Sequence, residues 1–205
     1  MNSANSQDLQ ALKTHPPFNQ LSRDSCDLIE SALETYQCDI GHQLIHRQTL
    51  PNNISIVLKG EVRLLGLHHG QPYTIGRMGP GAIIGLASLL RADGCEQVSA
   101  ASNLVIARLA DATVLELYKS DAIFRKWCQS HFWLAETCSL IDRITQGVAT
   151  PLGSTELRNR AEKLHKQIRL LKPTESLLSQ ISSDDRVLIA SANIENQSTK
   201  STWVG

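Results

Sequence analysis

The chain has 205 residues, its 20 lysines and arginines balanced by 20 aspartates and glutamates. That length suffices for one well-buried domain with appendages, and a net charge of zero removes any global field that would draw nucleic acid or an anionic membrane. The longest uncharged apolar run, 82–90, is far short of the ~20 residues a membrane helix needs.

The polar start MNSANSQDLQ holds no signal-peptide core. Five scattered cysteines without a C-x-x-C pair suit small buried thiols in a reducing, cytoplasmic setting. Residues 1–15 have only a weak helical tendency and are expected to be a frayed, flexible terminus. His15-Pro16-Pro17-Phe18 stops any helix, and Phe18 and Leu21 read as plugs on the core that follows. Ser22 caps a helix predicted over 22–36, with Leu28, Ile29, Ala32, Leu33 and Tyr36 on one face.

From 38 to 117 the texture changes to short apolar blocks punctuated by glycine, nine of the twelve glycines lying between 41 and 94. That pattern predicts an antiparallel barrel or sandwich. Residues 54–58 and 61–67 read as a strand pair broken at Lys59-Gly60, and 72–78 as the return of a hairpin turning at 68–71. Gly79-Pro80-Gly81 is a tight turn, 98–100 and 104–109 a further pair across Ser102-Asn103, and 112–118 the last strand.

Within this region 80–102, PGAIIGLASLLRADGCEQVSAAS, turns at Gly85 into a short apolar helix. A backbone turning into a helix start aims several N–H groups one way, which makes a small anion cradle. The next residue is the apolar Leu86, and no arginine follows in 93–102.

Three stretches, SIVLKGEVRLLG, GQPYTIGRMGPGAIIG and NLVIARLADATVLELYKSD, together resemble the cyclic nucleotide-binding domain family, and PPFNQLSRDSCDLIESAL resembles its opening helix. The resemblance covers 16–145 and implies an α+β fold: an antiparallel β-roll, a jelly roll like that of cyclic nucleotide-binding domains, flanked by helices. It implies a ligand pocket at Gly85, Leu86, Ala87, Ser88, Arg91, Gln97 and Ser99. In that family a glutamate after the equivalent of Gly85 holds the ribose, and an arginine some ten residues on pairs with the cyclic phosphate. Here Leu86 takes the first position, and the second falls near Gly94 or Cys95, with Asp93 and Glu96 set to repel a phosphate. Arg91 is a solvated loop arginine on this reading, and a substitute anchor on the alternative. Cyclic nucleotide binding is expected to be weak or lost, and no cofactor is expected.

Histidines give no metal site. His68 and His69 are adjacent, so a strand would point them to opposite faces. His42 and His46 would stand ~13 Å apart on one strand. No serine or cysteine sits in a nucleophile motif and G-x-S-x-G is absent, so the chain is not read as an enzyme.

Residues 121–145 read as one helix whose wide apolar face fits both packing on the roll and a homodimer. A linker at 147–153 leads to a basic amphipathic helix over 154–172, with Leu157, Ala161, Leu164, Ile168 and Leu171 as a heptad seam. Its basic face is expected to be solvated, contact with acidic headgroups or a partner being the lesser option. A short helix at 175–181 and a strand at 186–192 complete a C-terminal helix and strand extension over 154–205.

The segment 177–205 resembles one found after such rolls in cyanobacterial-type ABC exporters with a peptidase domain, which implies a further domain beyond it. Two functions follow. One is a non-catalytic cytoplasmic regulatory module of an exporter, its partner the remainder of the transporter. The other is the effector domain of a Crp/Fnr-type transcription regulator. With no recognition helix in view after 145, the exporter is preferred and DNA is not expected as a partner.

Overall fold

The computed structural model describes residues 2–3, 6–68, 71–145 and 153–168. Among them two antiparallel sheets face one another. The five-stranded sheet runs β1 (Asn2–Ser3), β2 (Glu34–Cys38), β9 (Leu104–Ala110), β4 (Asn53–Lys59) and β7 (Ile83–Ile84). The four-stranded sheet runs β3 (Gln43–Ile45), β8 (Val98–Ala100), β5 (Val62–His68) and β6 (Gln71–Met78). This is the expected α+β roll.

The five-stranded sheet is covered on both faces, which is why its central strands are continuous apolar runs. Side chains alternate along a strand. On β4, Val57 enters the inner core between the sheets, while Ile54 and Ile56 enter an outer core. On β9, Leu104 and Ile106 face in, and Ala107 and Leu109 face out. The outer core is closed by α1 (Ser6–Leu12), a 3-10 turn at Phe18–Gln20, α2 (Arg23–Ala32), α4 (Asp111–Ser120) and α5 (Ala122–Ser130). The inner core is closed by α6 (Leu134–Thr145) and α7 (Ser154–His165), through Ala135, Cys138 and Ile141 of the first and Leu157 and Ala161 of the second.

Several expectations are corrected. Within the terminus expected to be frayed, residues 6–12 form α1, which buries Leu9 and Leu12 in the outer core. Helix α2 starts where expected, with the Ser22 hydroxyl accepting from Ser25 N–H, but ends at Ala32, and Tyr36 belongs to β2. Residues 112–118 are helical within α4. The single helix over 121–145 is two, parted at His131-Phe132-Trp133. Finally, β4 with β5 and β8 with β9 are not partners, because each pair is split between the sheets. The hairpin of β5 with β6 is found. The linker lies outside the described residues except for Gly153, as do the helix at 175–181 and the strand at 186–192.

Candidate functional site

Strand β7 is followed by Gly85, whose φ of +92° lies in the left-handed region that glycine adopts without strain. A Cβ there would stand 3.0 Å from Ile45 Cδ1 and 3.2 Å from Ile54 Cδ1, so both side chains would have to shift by a few tenths of an ångström to admit one. The turn launches α3 (Leu86–Arg91), and the N–H groups at its start converge as the sequence pattern predicts.

They converge on a side chain of the chain itself. Gly85 N–H donates to Glu96 Oε1 at 3.0 Å, and Ser88 gives its N–H at 3.0 Å and its hydroxyl at 2.8 Å to Glu96 Oε2. Glu96 is 3% exposed. Burial raises its pKa and the nearby Glu136 carboxylate adds to this, while the three hydrogen bonds oppose it. A buried carboxylate is tolerated only when its oxygens are satisfied, and here the cradle satisfies them. Sequence reasoning placed Glu96 near the cradle as a repelling charge; its seat on these donors was not foreseen.

The other predicted pocket residues do not gather around one cavity. Leu86 is 1% exposed and packs in the outer core, on the far side of the sheet from the roll interior. Ala87 is fully buried. Ser99 lies between Val98 and Ala100, both turned into the inner core, so its side chain points to the opposite face of β8. Arg91 is not a solvated loop arginine. Its Nε donates to Glu136 Oε1 at 2.6 Å, the two side chains being 14% and 7% exposed, and its guanidinium lies 6.0 Å from the Trp133 ring centre. Glu136 Oε2 in turn accepts the Trp133 N–H at 2.8 Å.

Gln97 lines a cavity of about 10 Å³, walled by Leu65, Gly66 and Ile75 of the four-stranded sheet and by Cys95, Ala135 and Cys138. That is space for at most one water, and Gln97 Oε1 has no protein partner there. Burial, with Glu96 adding, pushes the Cys95 thiol up to about 12, so it is not poised as a nucleophile. Among the described residues no group of three or more His, Cys, Asp or Glu side chains could hold a metal ion, and no helix is long and apolar enough to cross a membrane.

A roll with a glycine turn, a short helix and an anion cradle defines the class of domain. Residues 37–121 match the family described as cyclic nucleotide-binding domain. Solved structures agree in fold. The regulatory domain of Toxoplasma gondii PKA, solved with cAMP, is 17% identical with a TM-score of 0.53, covering 78% of this chain and 59% of its own. The sensor domain of the transcriptional regulator DNR from Pseudomonas aeruginosa is 16% identical with a TM-score of 0.50, covering 71% and 99%. A regulatory subunit of a cAMP-independent protein kinase A from Trypanosoma brucei is 19% identical with a TM-score of 0.48 over 58% of this chain, which spans about half (48%) of that protein. No curated protein matches the chain in sequence.

Proposed function

We propose that the chain is a non-catalytic regulatory module whose nucleotide position is closed by its own side chains, so that it works without a cyclic nucleotide. The observation that carries this reading is Glu96 seated on the Gly85 and Ser88 donors. A phosphate brought to about 4 Å from that carboxylate in its ionised form is repelled by about 4 kcal/mol at an effective dielectric of 20, roughly a thousandfold in affinity. Titration calorimetry of the whole chain with cyclic AMP and cyclic GMP is expected to give no saturable heat up to millimolar ligand. Micromolar binding of either nucleotide overturns the reading.

The partner we propose is the remainder of an ABC-type exporter at the cytoplasmic face of a membrane, on the resemblance of 177–205. The effector domain of a Crp/Fnr-type regulator is the second reading. What favours the first is charge: Arg158 pairs with Glu162 and Arg160 with Glu156, so these four side chains of α7 neutralise one another rather than forming a phosphate-binding stripe. A homodimer through 121–145 would draw on Ile123, Phe132 and Trp133, which packing leaves exposed or half-buried. Coding sequence beyond residue 205 tests the context. Apolar spans with a G-x-x-x-x-G-K-[ST] loop support the exporter, and a helix-turn-helix supports the regulator.

A further inference from the structure

Helix α3 has six residues, far below the ~12–15 at which an isolated helix becomes even marginally stable. Contacts from outside must therefore hold both of its ends. At the start, Glu96 accepts the Gly85 and Ser88 donors. At the end, Arg91 is gripped by Glu136 at 2.6 Å. Glu136 is itself divided between two tasks. One oxygen takes Arg91, and the other accepts the Trp133 N–H at the first turn of α6, the backward half of a capping box.

The consequence runs through α6. That helix turns Ala135, Cys138 and Ile141 into the roll, and α7 adds Leu157 and Ala161 beside them. This largely buried ion pair thus joins the cradle helix to the helix pair that closes the inner core. Breaking such a pair strands a buried charge, so it resists partial release and favours two discrete arrangements.

We infer that Arg91–Glu136 is a latch holding α6 and α7 over the roll, and that Glu96, standing as a built-in ligand, sets that latch by fixing α3. The inference rests on the proposed reading of Glu96 as the occupant of the cradle. Regulation on this account acts by releasing the helix pair and not by admitting a small molecule.

Hydrogen exchange read by mass spectrometry on the full chain, without nucleotide, tests it in the wild type and in Arg91→Ala, Arg91→Lys, Glu136→Gln and Glu96→Gln variants. Arg91→Ala and Glu136→Gln are expected to raise exchange across α6 and α7 at least tenfold while β4 and β9 stay protected. Arg91→Lys, which keeps a cation, should restore most of the protection. Glu96→Gln should loosen the same α6 amides to a lesser degree, and add nothing when combined with Arg91→Ala. Unchanged α6 protection in Arg91→Ala removes the latch, as does an equal rise in β4 and β9, which would mean global unfolding. A Glu96→Gln effect confined to 85–98 removes Glu96 as its setter. Failure of the nucleotide-free reading would show separately, as heat in the wild-type titration.

Discussion

Gly85 and Leu86 divide one backbone turn between two cores. The Gly85 N–H faces the cradle, while the next side chain drops into the outer layer among residues such as Phe18, Ile29 and Leu109. Leu86 therefore acts as a core residue, and restoring a carboxylate there would not restore a ribose contact. Leu86→Ala should cost about 2–5 kcal/mol, as other buried leucine truncations do. Leu86→Glu should cost more, because it places a carboxyl among the apolar side chains of the outer core. Urea denaturation of both variants measures this. A Leu86→Glu protein that stays as stable as the wild type and acquires cyclic nucleotide binding would return Leu86 to the pocket.

Elements distant in sequence are tied by single polar side chains, and Asp121 is the clearest case. One of its oxygens accepts the N–H groups of Ile123 and Phe124 to start α5, and the other accepts the Ser22 N–H and the Ser25 hydroxyl at the start of α2. Burial alone would raise its pKa, but hydrogen bonds from Phe124 N–H, the Ser25 hydroxyl and Ser22 outweigh it and hold the carboxyl at about 2, below the ordinary 3.8. A lowered acid stabilises the fold above its unfolded value, and the contribution is lost as pH falls through the folded value. Asp121→Asn should thus lose about 2 kcal/mol at neutral pH. The gap to the wild type should narrow as pH falls from about 4 toward 2, and denaturant midpoints across that range check it. A gap that does not change with pH would assign the loss to shape and not to charge.

The same elements show what a one-dimensional pattern carries. Strands β4 to β6 and the Gly79-Pro80-Gly81 turn were legible because glycine and apolar blocks alternate there. Pairing was not legible, since a period of two says which face a residue takes and not which strand lies beside it. Hence Lys59-Gly60 passed for a hairpin turn when the chain crosses there from one sheet to the other. Tyr36 satisfied two periods at once, four residues after Ala32 and two before Cys38, and the strand prevailed through its ladder with β9. In VLEL at 114–117 the alternation suggested a strand, yet the buried positions are Val114 and Leu117, a helical spacing. The cradle could be read from Gly85, but its occupant could not. Nothing local marks Glu96 as folding back eight residues onto Ser88.

At the scale of the molecule, the stretch that carries the domain's signature is not the stretch that carries its stability. Residues 37–121 hold most of both sheets. They lack α1, α2 and α5, which supply Leu9, Leu12, Phe18, Ile29, Phe124 and Cys128 to the outer core, and also α6 and α7, which close the inner one. They also cut β2 after three of its five residues, removing part of the ladder to β9. Cut this way, the outer face of the five-stranded sheet would lose most of its cover and the inner core would lose the helices that close it, an exposure of apolar side chains that folded monomers avoid. The fragment 1–170, which matches the compact unit Met1–Leu170, should unfold in urea as one cooperative transition. The fragment 37–121 should show none, and should bind a hydrophobic dye as loosely packed states do. Between them, 1–145 keeps the outer core and loses Leu157 and Ala161, 4% and 0% exposed in the whole unit. Burial of two such side chains is worth roughly 3 kcal/mol, so 1–145 should fold with a midpoint lowered to match. A cooperative transition in 37–121 would mean that the sheets hold together without either helical layer, and the two-core account would fall with it.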